Sequence, residues 1–273
     1  MKVCMLGSGS GGNATLLVAG DTRILVDAGF SGRDLARRLD AVGVAPEELD
    51  AVVITHDHGD HTRGMGVFAR RHGTPIHITE PTRDACARLF RGGETIVSYR
   101  AGRPFLVGHI RVEPFLTVHD AVDPVGVALV DEETGGRVGV ATDLGRPTAQ
   151  IRHALSDCDF LVLEANHDEV MLHTGPYPWS VKTRIASSHG HLSNEASARF
   201  AAELLHPRLA GVLLAHLSSG CNRPALAHDV VGEALDREGY QGWLGVAAQD
   251  EPTPLLDLEA LRLAAGPAQL SFL

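Results

Sequence analysis

Cysteine is scarce in this chain: Cys4, Cys86, Cys158 and Cys221 are scattered over 273 residues, and no two form a CxxC pair. That scatter suits a reducing cytosol with buried free thiols. Long apolar runs are also missing. No segment approaches the length of a membrane span. The opening MKVCMLGSGSGGN reaches glycine after too few apolar residues to make a signal-peptide core. The expectation is a cytoplasmic protein with no membrane partner. Positive charge is in short supply too, with 24 Lys and Arg against 34 Asp and Glu, a net charge of −10. A generic nucleic-acid sponge would need a strong basic stripe, so that class is disfavoured. A nuclease is not excluded, because two bound divalent cations would add roughly four positive charges where a phosphate would sit. Low-complexity linkers, charge runs and short-period repeats are absent as well, so residues 1–273 read as a single domain.

What the chain does have is a hydrophobic share of 44% and charged residues at 21%, ordinary values for a globular protein. It also has 15 histidines, more than about twice an average share. Short β-like runs alternate with helical stretches, which argues an α/β architecture. Strands are expected at 2–6, 15–19, 23–27, 51–55, 75–79, 110–118, 125–130, 138–142, 160–164, 211–215 and 243–248. Helices are expected from Ser31 to near Gly43 and at 63–72, 81–90, 180–186, 193–205 and 224–237. The opening GSGSGGN is followed by TLLVA, a further strand and not a helix, so it reads as a tight turn fixed by Asn13 and not as a dinucleotide fingerprint.

The densest chemistry lies in His56-Asp57-His58-Gly59-Asp60-His61, directly after the apolar run that begins at Ala51. His56 and His58 are two residues apart and share one face of an extended segment. Gly59 lets the chain bend, so that Asp60 and His61 aim elsewhere. Neutral imidazole and carboxylate suit zinc, manganese or iron, and two groups of ligands imply two ions. One loop cannot complete such a site, so further ligands are sought at later strand ends. His119 follows IRVEPFLTV, Asp143 stands in ATDLG after VGVAT, and His216 follows GVLLA. A carboxylate such as Asp143 can bridge two ions and leave room for a water between them.

THDHGDH followed by His119, Asp143 and His216 in that order resembles the metallo-β-lactamase fold superfamily. The segments GSGSGGNATLLV, FLTVHDAVDPVG, ATDLG, LEANHDEVML with GPYPW, GHLSN and LAHLSSGCNRP resemble its YycJ/WalJ-type branch, which is similar to the ribonuclease Z and ribonuclease J nucleases. The resemblance covers nearly the whole chain. It implies an α/β fold, an αββα sandwich with a dinuclear site at the sheet edges. It assigns His56, His58 and His119 to one metal, Asp60, His61 and His216 to the other, and Asp143 to the bridge. It further implies a phosphodiesterase, acting as a 5′-to-3′ exonuclease on DNA more readily than on RNA, with a hydroxide between the metals as nucleophile. Zinc is the first expectation for the metals and manganese the second.

Residues around this set carry expectations of their own. Asp60, a ligand, and His191 are assigned to catalysis. His191, in GHLSN before a helix capped by Ser193, resembles the non-ligand catalytic histidine of ribonuclease Z and would contact phosphate or protonate the leaving oxygen. Asp27, ending a strand, would orient a metal-binding histidine, while Asp57 would hold a turn. His167 either contacts substrate or supports the ligands. Lys182 and Arg184 are candidate substrate contacts, and Trp179 either stacks a base or packs. Two rival functions remain: a small-ester, thioester or lactone hydrolase using the same metals, and a non-catalytic metal-binding regulator.

Overall fold

The apolar runs pair into two seven-stranded sheets in the computed structural model, which describes residues 1–266. In spatial order the first sheet is β14 (Leu256–Asp257), β1 (Lys2–Gly7), β2 (Ala14–Ala19), β3 (Thr22–Val26), β4 (Ala51–Val53), β5 (Ile76–Thr79) and β6 (Ile96–Tyr99). The second is β13 (Trp243–Val246), β12 (Gly211–Ala215), β11 (Phe160–Glu164), β10 (Arg137–Ala141), β9 (Val125–Asp131), β8 (Ile110–Leu116) and β7 (Phe105–Val107). The helices are α1 (Gly32–Ala41), α2 (Gly59–Thr62), α3 (Met65–His72), α4 (Glu80–Ala85), α5 (Ala149–Leu155), α6 (Glu169–Thr174), α7 (Trp179–Ile185), α8 (Asn194–Glu203), α9 (Pro224–Arg237) and α10 (Leu258–Ala264).

Both sheets are apolar on both faces, because their central strands are nearly continuous hydrophobic runs. In β11, Phe160 and Val162 join the cluster between the sheets, alongside Met5, Ile24, Val26 and Val53 from the first sheet. The alternate residues, Leu161 and Leu163, turn outward against Phe200 of α8 and Val231 and Leu235 of α9. On the far side, Leu6, Leu25 and Val52 pack under Leu35 and Leu39 of α1 and Phe68 of α3. The layers are therefore α, β, β, α, the expected sandwich.

Strands β3 to β6 run parallel, and so do β10 to β13. Their carboxyl ends release the loops that carry the chemistry, the place where open α/β sheets commonly bind ligands. The expected helix at 63–72 begins at Met65, since the Gly64 amide is taken by the Ala28 carbonyl at 2.8 Å. A Cβ on Gly64 would stand 2.0 Å from the Phe30 carbonyl oxygen, so the chain crossing there requires glycine. The helix expected over 81–90 is α4 followed by a separate 3₁₀ turn at Ala87–Leu89. Strands β6, β7 and β14 and helices α2, α5, α6 and α10 were not anticipated. The two edge strands β6 and β7 leave residues such as Val97 and Leu106 exposed, which blurs the pattern of a buried strand.

Candidate metal centre

His56 to His61 leave β4 as an extended segment that turns into α2, with His58 at the helix start. The loop is clamped from behind. The Asn13 amide donates to the Asp60 carbonyl at 2.8 Å, and a Cβ on Gly29 would lie 1.6 Å from that same carbonyl oxygen. The other expected ligands arrive singly, His119 after β8, Asp143 after β10 and His216 after β12. Three groups form, with ligand atoms lying within 4.8 Å of one another: His56, His58, His119 and Asp143; Asp60, His61 and His216; and Asp143, Glu164, His191 and His216. All seven expected ligands are thus brought together, with Asp143 in the same group as the first three histidines and in another group with His216.

Hydrogen bonds to the outer ring nitrogens fix which nitrogen faces inward. His61 Nδ1 donates to Asp27 Oδ2 at 2.7 Å, leaving Nε2 beside Asp143 Oδ2 at 3.0 Å and Asn13 Nδ2 at 3.1 Å. The Thr55 hydroxyl donates to Asp27 and so accepts from His56 Nδ1 at 2.9 Å. His119 Nδ1 donates to the Gly190 carbonyl at 3.1 Å, and His216 Nδ1 to Glu164 Oε1 at 2.8 Å. His119 Nε2 is left facing His58 Nδ1 at 3.2 Å. Inside the cluster, the buried His56 Nε2 and Asp143 Oδ2 have no hydrogen-bond partner. Buried polar atoms are normally paired, so these inward atoms fit a metal as the missing partner. The histidine and aspartate cluster is a site for divalent metal ions.

The backbone is held in an unusual state to achieve this. Asp27, Asp143 and His216 have φ of 65°, 55° and 56°, a left-handed conformation uncommon outside glycine. Such strain costs on the order of 1–3 kcal/mol per residue and persists where surroundings enforce it. Here they do: the His216 amide donates to Ser8 Oγ at 2.7 Å and the Asp143 amide to Glu164 Oε1 at 3.2 Å.

Glu164 was missed by the sequence reading, although it ends the expected strand FLVLE. It is fully buried. Besides His216 and the Asp143 amide, it accepts from His191 Nδ1 at 2.8 Å and from the amides of Leu144 at 2.9 Å and Leu192 at 3.0 Å. Burial alone would raise its pKa, but the His191 charge and the bonds from His191 and His216 hold it down at about 2. Without metal, burial pulls His216 down, yet the carboxylates of Asp143, Asp60 and Glu164 lift it to about 10. Ions entering the site therefore compete with protons. His191 is likewise depressed by burial and raised, on balance, by Glu164. Its Nδ1 is committed to Glu164.

The remaining candidates sit around this centre. Asp57 Oδ1 accepts from the Val122 amide at 2.9 Å, a tether to the loop after β8 and not the local turn expected of it. Arg184 pairs with Asp120 at the cleft that also exposes His58, Asp60 and His191. Lys182 donates to the His173 carbonyl at 2.7 Å, and it lines a neighbouring cavity with His167. His167 makes no contact with the ligands by hydrogen bond. The helix start at Ser193 is already occupied: Ser193 Oγ accepts from the Ala196 amide at 3.2 Å and donates to Glu169 at 3.0 Å. A carboxylate at that helix end disfavours the phosphate pocket expected there.

Two sheets sandwiched between helices, with histidines and aspartates gathered at the strand ends, define a metal-centred site on an αββα frame. The family described as the beta-lactamase superfamily domain matches residues 22–217. The exodeoxyribonuclease WalJ of Streptococcus pneumoniae is 36% identical over 269 residues, covering 94% of this chain and 98% of the relative. The exodeoxyribonuclease YycJ of Bacillus anthracis is 32% identical over 238 residues, covering 86% and 89%. Among solved structures, the metallo-beta-lactamase fold protein YhfI from Bacillus subtilis superposes with a TM-score of 0.69 at 20% identity, covering 92% of this chain and 98% of that one. The chain belongs to the beta-lactamase superfamily, in the branch of the WalJ and YycJ proteins.

Proposed function

We propose that the chain is a metal-dependent DNA exonuclease, acting from a 5′ end with two divalent ions, zinc in first place and manganese in second. The observation that carries this reading is the convergence of seven ligand-type side chains, with His56 Nε2 and Asp143 Oδ2 unpaired inside, in a chain whose near-full-length relatives are named exodeoxyribonucleases. One domain, residues 1–273, holds the site. His56, His58 and His119 would hold one ion and Asp60, His61 and His216 the other, with Asp143 between them. Bound there, the ions would supply Lewis-acid stabilisation of charge on the phosphate and acidify the attacking water.

The protein's own groups do the rest. Asp27, through His61 and Thr55, and Glu164, through His216, keep the imidazoles in the tautomer that turns a lone pair inward. Glu164 fixes His191 by Nδ1 and favours its protonated form, so that Nε2 holds a proton for the leaving oxygen. Arg184, exposed at the cleft and steadied by Asp120, suits a phosphate further along the strand.

The test offers metal-loaded protein 5′-labelled single- and double-stranded oligonucleotides beside a thioester and a homoserine lactone. Stepwise release of mononucleotides is expected, with both esters poor substrates. Rapid turnover of an ester while every oligonucleotide stays intact would overturn the nuclease reading.

A further inference from the structure

A second cavity, of about 630 Å³, adjoins the metal cleft of about 300 Å³, and His191 is the single lining residue the two share. Helix α7 divides them. Trp179, Lys182 and Thr183 line the larger cavity, whereas Val181, Arg184 and Ile185 line the cleft. No residue of α7 is buried, so the helix lies as a partition over the surface and not as part of the core. The volume is in the range of small-molecule pockets and suits one nucleotide-sized group, not a length of strand.

Its walls have the chemistry of a nucleoside. Trp179 is 67% exposed, an aromatic face left uncovered by packing. His173 meets it edge-on with ring centroids 5.7 Å apart. Leu172 and Ala196 supply apolar surface, while Lys182 and Arg199 supply positive charge at the wall. His167 lines the cavity and is only 3% exposed, and its buried Nδ1 has no hydrogen-bond partner. A buried polar atom of that kind calls for a ligand group. Glu169 also lines the cavity, which favours the uncharged base and sugar over a phosphate in its depth.

We propose that this cavity seats the terminal nucleoside of the DNA strand, the unit released at each cut, with its base against Trp179 and a polar edge on His167. The inference rests on the exonuclease reading, because His191 at the junction places the scissile phosphate in the cleft and its attached nucleoside next door. A pocket for one nucleoside predicts release of mononucleotides in place of longer fragments.

Two measurements test it. In the first, 2′-deoxyadenosine 5′-monophosphate is titrated into metal-loaded protein by isothermal calorimetry, a readout that does not depend on Trp179 itself. Saturable binding is expected, tighter than that of inorganic phosphate. W179A should weaken binding roughly 5- to 100-fold, the range for loss of one base–aromatic stack. H167F, which keeps an aromatic ring, somewhat larger, and removes its nitrogens, should weaken it by roughly a few-fold. No binding, or equal affinity in W179A, overturns the proposal whether or not the protein cuts DNA. In the second, one oligonucleotide ends in a normal residue and its twin in an abasic residue. The wild type should prefer the normal end through KM, and W179A should cut both at similar efficiency. Equal cutting by the wild type overturns the pocket while leaving the exonuclease reading in place. Failure to cut either strand overturns the exonuclease reading, and the nucleotide titration then decides the pocket alone.

Discussion

The first sheet delivers four of the seven ligands from one loop, His56 to His61, whereas the second delivers His119, Asp143 and His216 from the ends of three strands. The backing differs in the same way. Asp27 serves neighbours on the loop beside it, His61 and Thr55. Glu164 gathers donors from three separate segments, at residues 143–144, 191–192 and 216. A site half of which is a local motif depends for its other half on the order of β8 to β12 in the second sheet. The loop could keep its ligand types in many folds; the second half exists only where those strands lie side by side.

The largest effect expected is at the junction of the halves. Asp143→Ala should reduce turnover to that of the metal-free protein and lower occupancy of both ions, read by metal analysis and an oligonucleotide assay. If one ion stayed at full occupancy, Asp143 would serve the other ion alone. His191→Ala should leave metal content intact and reduce turnover roughly 10²- to 10⁴-fold. Loss of metal in parallel would make His191 a ligand, which its distance to Asp143 and His216 permits geometrically.

Glu164→Ala should disorder the second half alone and destabilise the metal-free protein by about 3–5 kcal/mol, the effect of removing one partner from buried charges. Urea denaturation reads this directly. Because the Glu164 pKa is lowered from 4.5 to about 2 on folding, its contribution is present above pH 4.5 and is lost as pH falls towards 2. The acid limb of the metal-free protein's stability profile should therefore be shallower in the variant. Asp27→Asn should have the smallest effect, a roughly 10- to 100-fold weaker hold on the ions through His61 and His56, with His119, Asp143 and His216 undisturbed. Unchanged metal affinity would mean that Asp27 does not orient these imidazoles.

The same division decides what could be read from the sequence. The loop ligands are legible because they are adjacent, and the three single ligands because each follows a recognisable apolar strand. Strands β11 and β12 and helix α9 fall at their expected limits, 160–164, 211–215 and 224–237, since buried strands and a long helix leave strong patterns. Glu164 was passed over because a carboxylate closing an apolar run reads as a strand end. Its partners lie 27 and 52 residues further on, and nothing local marks them. The expectation of a phosphate at the start of α8 rested on Ser193 and the helix dipole, both present, but Glu169 comes from α6 and could be placed there only by the fold. For Trp179 the sequence leans slightly towards packing; the exposure of α7, none of whose residues is buried, turns it the other way.

Metal content of protein stripped with chelator, reconstituted with zinc and freed of excess by gel filtration tests the central claim most directly. Two ions per chain are predicted for the wild type, and one for His58→Ala, which removes a ligand from the first set only. A single ion in the wild type, unchanged in His58→Ala, would contradict a two-ion centre in which loop residues of the first sheet and a strand-end residue of the second hold each ion.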